Sequence, residues 1–305
     1  MNARLRRSTA VLLAALSAAA LAALAAASPN AAMSAQAASI VFTSDRGEGN
    51  NLHVINSNGT GRRALTNGSA FDLAPVWSPA KRRVAFASTR QSGTVAAQGI
   101  FVVGADGTGL RSLVETPRDE SAPSWSPDGR SIVFSRDSTG TGHYDLYVVT
   151  VATGNVRRLT ANKAIEGVPA WSPNGRWIAY SRNGEIWLIR PDGTRAHGLG
   201  KVGAGIDWAP DWSPDGSRIA FESTSRTSAS RPVALIWVMR SDGSRKQRLT
   251  PYVRRRPVDS VGPSWSPGGA QIVFTRASQL WAMRPDGSRV RQLTKQPGAA
   301  WGADW

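Results

Sequence analysis

The sequence predicts an all-β fold, a six-bladed β-propeller whose blades are four-stranded antiparallel sheets. Three observations predict it: a unit of 40–53 residues recurs along the chain, each unit contains four short strand-like runs, and the first and last units are incomplete in complementary ways. Repeats of this length with four strands each are typical of propeller blades. We therefore expect a 1+3 closure, in which the C-terminal strand completes the blade that the first three strands begin.

The chain begins with a segment typical of an export signal. Three arginines precede an uncharged run rich in Ala and Leu, and Ala35, Gln36 and Ala37 fit the pattern before a cleavage site. We expect residues 1–37 to be a signal peptide and residues 38–305 to be the propeller. A twin-arginine signal and an uncleaved anchor are alternatives, although the apolar run of about 17 residues is shorter than a spanning helix needs.

Composition narrows the classes of partner. The chain has no cysteine, so packing rather than disulfide bonds must stabilise the exported domain. Its net charge of +16 favours acidic partners, such as an anionic envelope polymer or an acidic protein surface. The alternative is a solvated, arginine-rich surface. We expect no nucleic-acid partner, and no later hydrophobic stretch predicts a membrane span after cleavage.

Strand A opens each unit and carries Pro-x-Trp-Ser-Pro in five of them. A tight turn follows, usually with Asp-Gly or Asn-Gly, because both residue types tolerate positive φ. At this turn Lys81 replaces the glycine, so we expect that turn to take another form. The repeated tryptophans, which we expect to pack between blades, are Trp77, Trp125, Trp171, Trp212 and Trp265.

Strands B, C and D each occur six times, whereas the full strand A occurs five times. Strand B is an Ile-Val/Ala-Phe run, strand C an Ile/Leu-aromatic-Val run, and strand D a basic stretch that ends in Leu, usually Leu-Thr. Residues 38–66 supply B, C and D of one blade, and residues 299–305 supply its strand A. An open solenoid would need polar caps, so the offset indicates a closed ring with Trp305 as the sixth repeat tryptophan.

The B–C and D–A loops share one face of this fold, and their lengths vary. Variable loops on a rigid scaffold are where binding usually resides. Near the start of strand A stand carboxylates, namely Asp72, Glu120, Glu166, Asp207 and, shifted by one position, Asp259, with Ala300 in the closing blade. An arginine follows each strand B: Arg46, Arg90, Arg136, Arg182, Arg226 and Arg276. They form either structural ion pairs or a carboxylate ring at the channel mouth that takes a basic group or cation.

Aromatic residues suggest a contact surface on the same face. Trp208 and Trp301 share one repeat position in the D–A loops, and aromatic and arginine residues are enriched in interface hot spots. The candidate contact set adds five further residues to the two tryptophans and the carboxylates: Phe71, Tyr252, Arg254, Arg255 and Arg256. Packing of the tryptophans over the channel rim is the alternative.

Signals of an enzyme are weak. The chain has three histidines without metal-site spacing, and His53 stands at a strand C position that is aromatic in the other blades. Neither a nucleophile elbow nor a phosphate loop is present. We therefore predict no catalytic residue, metal or cofactor. Carboxylates from different loops can still do acid–base work, so a small propeller enzyme of the sugar lyase or lactonase type is the alternative to a binding protein.

The unit from Ala122 to Thr160, "APSWSPDGRSIVFSRD" followed by "YDLYVVTVATGNVRRLT", resembles the WD40-like repeat of TolB-type β-propellers. It lacks the Gly-His and Trp-Asp marks of ordinary WD repeats. The resemblance implies a periplasmic binding protein with an envelope role and a Pal-like lipoprotein as a partner. Because strand B starts directly after the signal, we expect the propeller alone, without the α/β domain that precedes it in TolB.

Overall fold

The computed structural model describes residues 39–45, 49–90, 97–225, 232–252, 258–295 and 298–305. All of them belong to one compact unit, Ala38–Trp305. The expected signal peptide, the arginines Arg46 and Arg226, and the run Arg254, Arg255 and Arg256 lie outside the described residues and stay predictions.

The described residues contain 24 strands. The closing blade consists of β1 (Ser39–Ser44), β2 (Asn51–Asn56), β3 (Arg63–Ala64) and β24 (Ala300–Asp304). Blade 1 consists of β4 (Asp72–Trp77), β5 (Arg83–Ser88), β6 (Gly99–Gly104) and β7 (Arg111–Val114). Blade 2 consists of β8 (Glu120–Trp125), β9 (Ser131–Asp137), β10 (Tyr144–Thr150) and β11 (Val156–Arg158).

The remaining blades repeat this arrangement. Blade 3 consists of β12 (Glu166–Trp171), β13 (Ile178–Arg182), β14 (Glu185–Ile189) and β15 (His197–Gly198). Blade 4 consists of β16 (Asp207–Trp212), β17 (Arg218–Ser225), β18 (Val233–Arg240) and β19 (Gln247–Arg248). Blade 5 consists of β20 (Ser260–Trp265), β21 (Ile272–Arg276), β22 (Gln279–Met283) and β23 (Arg291–Gln292).

Each blade is a four-stranded antiparallel sheet with strands in the order A, B, C, D. Neighbouring blades contact each other through their A strands, which form a ring around a central channel. In the closing blade the order is β24-β1-β2-β3, and β24 pairs with β1 through Thr43 opposite Trp301 and Ser44 opposite Ala300. The predicted six-bladed propeller with 1+3 closure is confirmed.

The core consists of six apolar clusters, each shared by two neighbouring blades. Trp77 of blade 1 packs with Val41 and Leu52 of the closing blade. Trp305 packs with Val273 and other residues of blade 5. Burial of apolar surface is the main favourable term in folding, so each repeat tryptophan joins its blade to the preceding one. Their predicted packing between blades is confirmed.

Every A strand is bent by a bulge. The residue three positions before the repeat tryptophan has positive φ in all six blades, from 47° at Val168 to 59° at Gly302. In blade 1 the β4–β5 register shifts between Leu73 and Val76. A bulge bends a strand and re-aims its side chains. This bend separates two repeat positions, the buried first residue of strand A and the residue just before the tryptophan.

The A–B turn at Lys81 has the same form as the others, so the expectation of another form was wrong. Lys81 donates its backbone N–H to Ser78 (2.8 Å) as Gly129 does to Ser126 (2.9 Å), and it adopts φ 54°. Its ammonium group lies 5.5 Å from the centre of the Trp77 ring and is attracted to Asp304. These side-chain interactions offset the backbone strain of a non-glycine residue at positive φ.

Closure by β24 predicts a stability effect. Trp305→Ala should lower the free energy of unfolding by about 3–5 kcal/mol, the usual cost of truncating a buried aromatic residue, and deleting Gly302–Trp305 should lower it further. Trp301→Ala is the matched control, because Trp301 lies in the same strand and is only half-buried. Denaturant unfolding measures both, and an unchanged stability in Trp305→Ala would contradict the closure.

Candidate functional site

The D–A and B–C loops form one face, called the loop face here, and the A–B and C–D turns form the opposite turn face. The four predicted carboxylates that open strand A have fully buried side chains: Asp72, Glu120, Glu166 and Asp207. They therefore lie beneath the loop face and do not reach its surface.

Asp72 shows how these carboxylates are held. Arg90 donates from Nε to Oδ1 (3.0 Å) and from Nη2 to Oδ2 (2.7 Å), and Ser88 donates its hydroxyl to Oδ1 (2.6 Å). Thr66, from the closing blade, donates to Oδ2 (2.6 Å) and accepts the N–H of Leu52. A carboxylate satisfied by several charge-assisted bonds is strongly held. Asp72 thus joins blade 1 to the closing blade by hydrogen bonds.

The facing residue on strand B depends on carboxylate length. Where strand A begins with Asp, strand B offers a serine, as in Asp207 opposite Ser223. Where it begins with Glu, strand B offers an arginine directly, as in Glu120 and Arg136 (2.8 Å). Burial raises the pKa of both Glu120 and Asp207, against the effect of their hydrogen bonds.

Blade 3 follows this scheme, and blade 5 departs from it. Glu166 follows the Glu pattern with Arg182 at 3.7 Å. In blade 5 Ser260 opens the strand and accepts from Arg276 (3.0 Å), while Asp259 accepts the N–H of Ala234 (2.9 Å). Asp72, Glu120 and Glu166 thus form ion pairs with the arginines at the end of strand B, whereas Asp207 and Asp259 accept backbone N–H groups.

The loop face exposes apolar side chains next to the positions of the buried carboxylates. Phe71, Ile165 and Ile206 each directly precede a carboxylate and are 50–55% exposed. Trp208 and Trp301 directly follow that position and are half-buried. The Trp208 ring lies over Gly167 of blade 3, where a Cβ atom would come within 3.1 Å of it. We call these five residues the apolar collar.

The sequence indicated three members of the apolar collar, Phe71, Trp208 and Trp301, but missed Ile165 and Ile206. The available signal was an apolar residue just before a carboxylate that opens strand A. The predicted contact Tyr252 is half-buried. Exposed cations flank the collar in four D–A loops: Arg118, Lys163, Lys201 and Lys295.

A second polar cluster, not found from the sequence, lines the channel. Asp211 and Asp304 stand directly before the repeat tryptophans of their blades. Asp211 accepts the backbone N–H of Trp265 (2.7 Å), and Asp304 accepts that of Trp77 (2.8 Å) and the hydroxyl of Ser264 (3.0 Å). Each carboxylate therefore joins its blade to the next one.

The electrostatics of this channel cluster are coupled. Burial, together with the charge of Asp304, raises the pKa of Asp211 to about 7. Burial also raises the pKa of Asp304, and it lowers the pKa of Lys81, which is attracted to both carboxylates. Two features of the sequence could have indicated this cluster. Asp211 and Asp304 occupy a repeat position that is small or apolar in the other blades, and Lys81 replaces the glycine of the A–B turn.

Comparisons with known proteins agree with this architecture. A sequence model described as TolB beta propeller domain matches residues 101–187. The crystal structure of TolB from Acinetobacter baumannii is similar, with TM-score 0.73 and 20% identity, over 88% of this chain and 66% of that one. The structure of a putative TolB from Agrobacterium tumefaciens gives TM-score 0.65 and 23% identity over 87% and 90% of the two chains.

An oligogalacturonate lyase from Vibrio parahaemolyticus shares the fold more distantly, with TM-score 0.57 and 14% identity over 85% of this chain and 75% of that one. No curated protein matches the sequence. The chain spans slightly less than two thirds of the Acinetobacter TolB.

The fold and the blade contacts define a six-bladed β-propeller. Residues 101–187 match the TolB-type repeat, and over the other blades the fold is similar to that of the two TolB structures. No described residue belongs to a helix long and apolar enough to cross a membrane. Among the same residues, no cluster of three or more His, Asp or Glu could hold a metal.

The channel cluster predicts a pH dependence. A carboxyl group whose pKa rises on folding stabilises the folded state at low pH, and this contribution is lost as the pH rises from about 4 to about 7. Asp211→Asn should remove that loss, raising the free energy of unfolding at pH 8 by on the order of 1–3 kcal/mol and less at pH 5.

The matched control is Asp215→Asn. Hydrogen bonds from Ser213 and Ser217 lower the pKa of Asp215 to about 2, so its loss should not stabilise the protein at pH 8. Unfolding curves at pH 5 and pH 8 make the comparison. Equal effects of Asp211→Asn at both pH values would contradict the raised pKa.

Proposed function

We propose that this propeller is an exported, non-catalytic binding protein that engages an acidic protein of the cell envelope through the apolar collar on its loop face. The observation that carries the proposal is the exposure of Phe71, Ile165 and Ile206 on the face that also bears two half-buried tryptophans. Large apolar side chains exposed on one face beside polar residues are typical of protein interaction sites.

The charge around the collar supports an acidic partner. Arg118, Lys163, Lys201 and Lys295 are exposed in the loops beside it, and the chain as a whole carries +16. Complementary charge increases association rates and suppresses wrong partners. A Pal-like lipoprotein is the partner that the likeness to TolB suggests, and an export signal in residues 1–37 would deliver the propeller to the periplasm.

The buried carboxylates support the same function indirectly. Asp72 and its counterparts hold the start of strand A through bonds to neighbouring loops and strands, so the collar residues on either side of them are fixed before a partner arrives. Preorganised contact residues lose little conformational entropy on binding. A collar held in place in this way is therefore suited to a folded partner surface.

Crosslinking in native envelopes tests this proposal. The double variant Trp208→Ala, Trp301→Ala should reduce the main crosslinked species at least tenfold, because truncating an aromatic hot spot commonly costs 2 kcal/mol or more. Trp177→Ala is the matched control, since Trp177 is also half-buried but lies at an A–B turn. An unchanged set of crosslinked partners in the double variant would contradict the proposal, provided both variants keep their melting temperatures.

A second variant in the same crosslinking experiment tests the predicted contact run Arg254, Arg255 and Arg256. Its replacement by alanine should weaken the same crosslink if this loop adds charge to the interface, and an unchanged yield removes the run from the site. If the natural partner is instead an anionic polymer, retention on an anionic matrix should fall steeply with salt while the tryptophan variants retain binding. That result would identify an anionic polymer, and not an acidic protein, as the partner.

The channel cluster favours a second candidate, a sugar lyase or lactonase. Asp211 and Asp304 are two carboxylates with different surroundings beside Lys81, an arrangement that can support acid–base chemistry. One similar solved structure is an oligogalacturonate lyase in complex with manganese. The described residues of this chain do not supply a comparable metal cluster, so no metal-dependent step is proposed.

Metal analysis and an ultraviolet assay for unsaturated products from oligogalacturonate separate the two candidates. Stoichiometric metal together with turnover that Asp211→Asn abolishes would favour the enzyme. Absence of turnover by the wild-type protein, with or without added manganese, would contradict this lyase candidate.

A further inference from the structure

The turn face of blade 5 contains a pocket of about 340 Å³ with an arginine-rich lining. Its wall is formed by Arg284, Arg289 and Arg291 together with Gln271, and Ala270 and Met283 complete it. The lining contains no carboxylate. The volume lies at the lower end of the range of small-ligand sites, and the site is remote from the loop face of the proposed function.

The C–D turn that bears two of these arginines follows a pattern shared by five blades. The first residue of the turn donates its backbone N–H to the carbonyl four positions later and accepts the N–H of the glycine three positions later, as Arg284 does with Ser288 and Gly287. The residue after this turn has positive φ in all five blades.

Arginines occupy both ends of this turn in three adjacent blades. The pairs are Arg190 with Arg195, Arg240 with Arg245, and Arg284 with Arg289, whereas the remaining two blades have Asn56 with Gly61 and Gly104 with Gly109. The two end positions vary together, so the arginine pairs are a property of blades 3, 4 and 5 and not of the turn itself.

The second arginine of each pair is held against its backbone preference. Gly61 and Gly109 have φ of 67° and 64°, and Arg195, Arg245 and Arg289 keep nearly the same conformation, with φ of 52–56°. Glycine is the residue that adopts this region without steric cost. An arginine in place of glycine at this position therefore carries a backbone cost.

The ends of the turn are also close in space. A Cβ atom on Gly61 would lie 2.5 Å from Nδ2 of Asn56, so the two end positions of this turn are adjacent, and in blade 5 both arginines line the same pocket. Like charges near one another repel. In blade 5 a third cation, Arg291, is fixed at the same pocket by bonds to the Ser57 carbonyl (2.7 Å) and Gln271 Oε1 (3.0 Å).

The nearby carboxylate does not neutralise this set. Asp286 accepts the backbone N–H of Ser288 (2.8 Å), and bonds from Ser288 lower its pKa, so it stays ionised within the turn. Its charge balances one arginine of three. The pocket therefore keeps an excess of positive charge from guanidinium groups, which bind planar and tetrahedral oxyanions through paired N–H donors.

We propose that this pocket binds a phosphate group of an anionic ligand, with Arg284, Arg289 and Arg291 as its donors. The ligand approaches from the turn face, so this site is independent of the apolar collar. Arg291 is already oriented by its bonds to Ser57 and Gln271, and Arg289 is oriented by the turn. Binding of an anion removes the repulsion among the three guanidinium groups.

Calorimetric titration with inorganic pyrophosphate at low ionic strength tests the site. Arg289→Gly should weaken binding at least tenfold without loss of melting temperature, because glycine suits this backbone conformation in Gly61 and Gly109. Arg245→Gly is the matched control in blade 4, with the same turn, the same φ and the same loss of charge, and should change the affinity less than twofold.

Three results would overturn the proposal. They are no binding of pyrophosphate by the wild-type protein, an equal loss in Arg289→Gly and Arg245→Gly, and equal affinity for oligogalacturonate and pyrophosphate, which would show unspecific attraction of anions. Crosslinking through the apolar collar should be the same in Arg289→Gly and wild type, so failure of one proposal leaves the other testable.

Discussion

The structure depends on the burial of a tryptophan between each pair of blades. A single four-stranded sheet leaves both faces open to water, and each apolar cluster of this protein draws on two sheets. Trp77 closes the contact between the closing blade and blade 1, and Trp305 the contact between blade 5 and the closing blade. No blade is therefore a complete unit of stability, because each apolar cluster requires the neighbouring blade.

The ring gives different roles to neighbouring positions of strand A. Its first residue is buried between blades, where Asp72 uses all its hydrogen-bonding capacity for Arg90, Ser88 and Thr66. A partner cannot reach such a group without displacing these bonds. The neighbours on either side reach the surface, so side chains such as those of Phe71 and Trp208 are available for binding.

The sequence was sufficient for the strands, their order and the closure, because these follow from a repeated pattern of local signals around residues such as Trp305. It was insufficient for Asp211 and Asp304, which are distant in the chain and meet only through the ring. The form of the turn at Lys81 could not be predicted either, because local backbone preference opposes it and contacts to Trp77 and Asp304 decide it.

The two faces can act separately because their charges are far apart. Strands of about six residues span roughly 20 Å, whereas ionic interactions at physiological salt are screened over about 8 Å. The buried carboxylates offset nearby arginines below the loop face, and turn carboxylates such as Asp286 are held by local hydrogen bonds. The surplus positive charge therefore acts locally on each face, so an anion bound by the arginines of blade 5 would leave the electrostatic attraction of the apolar collar for an acidic partner nearly unchanged.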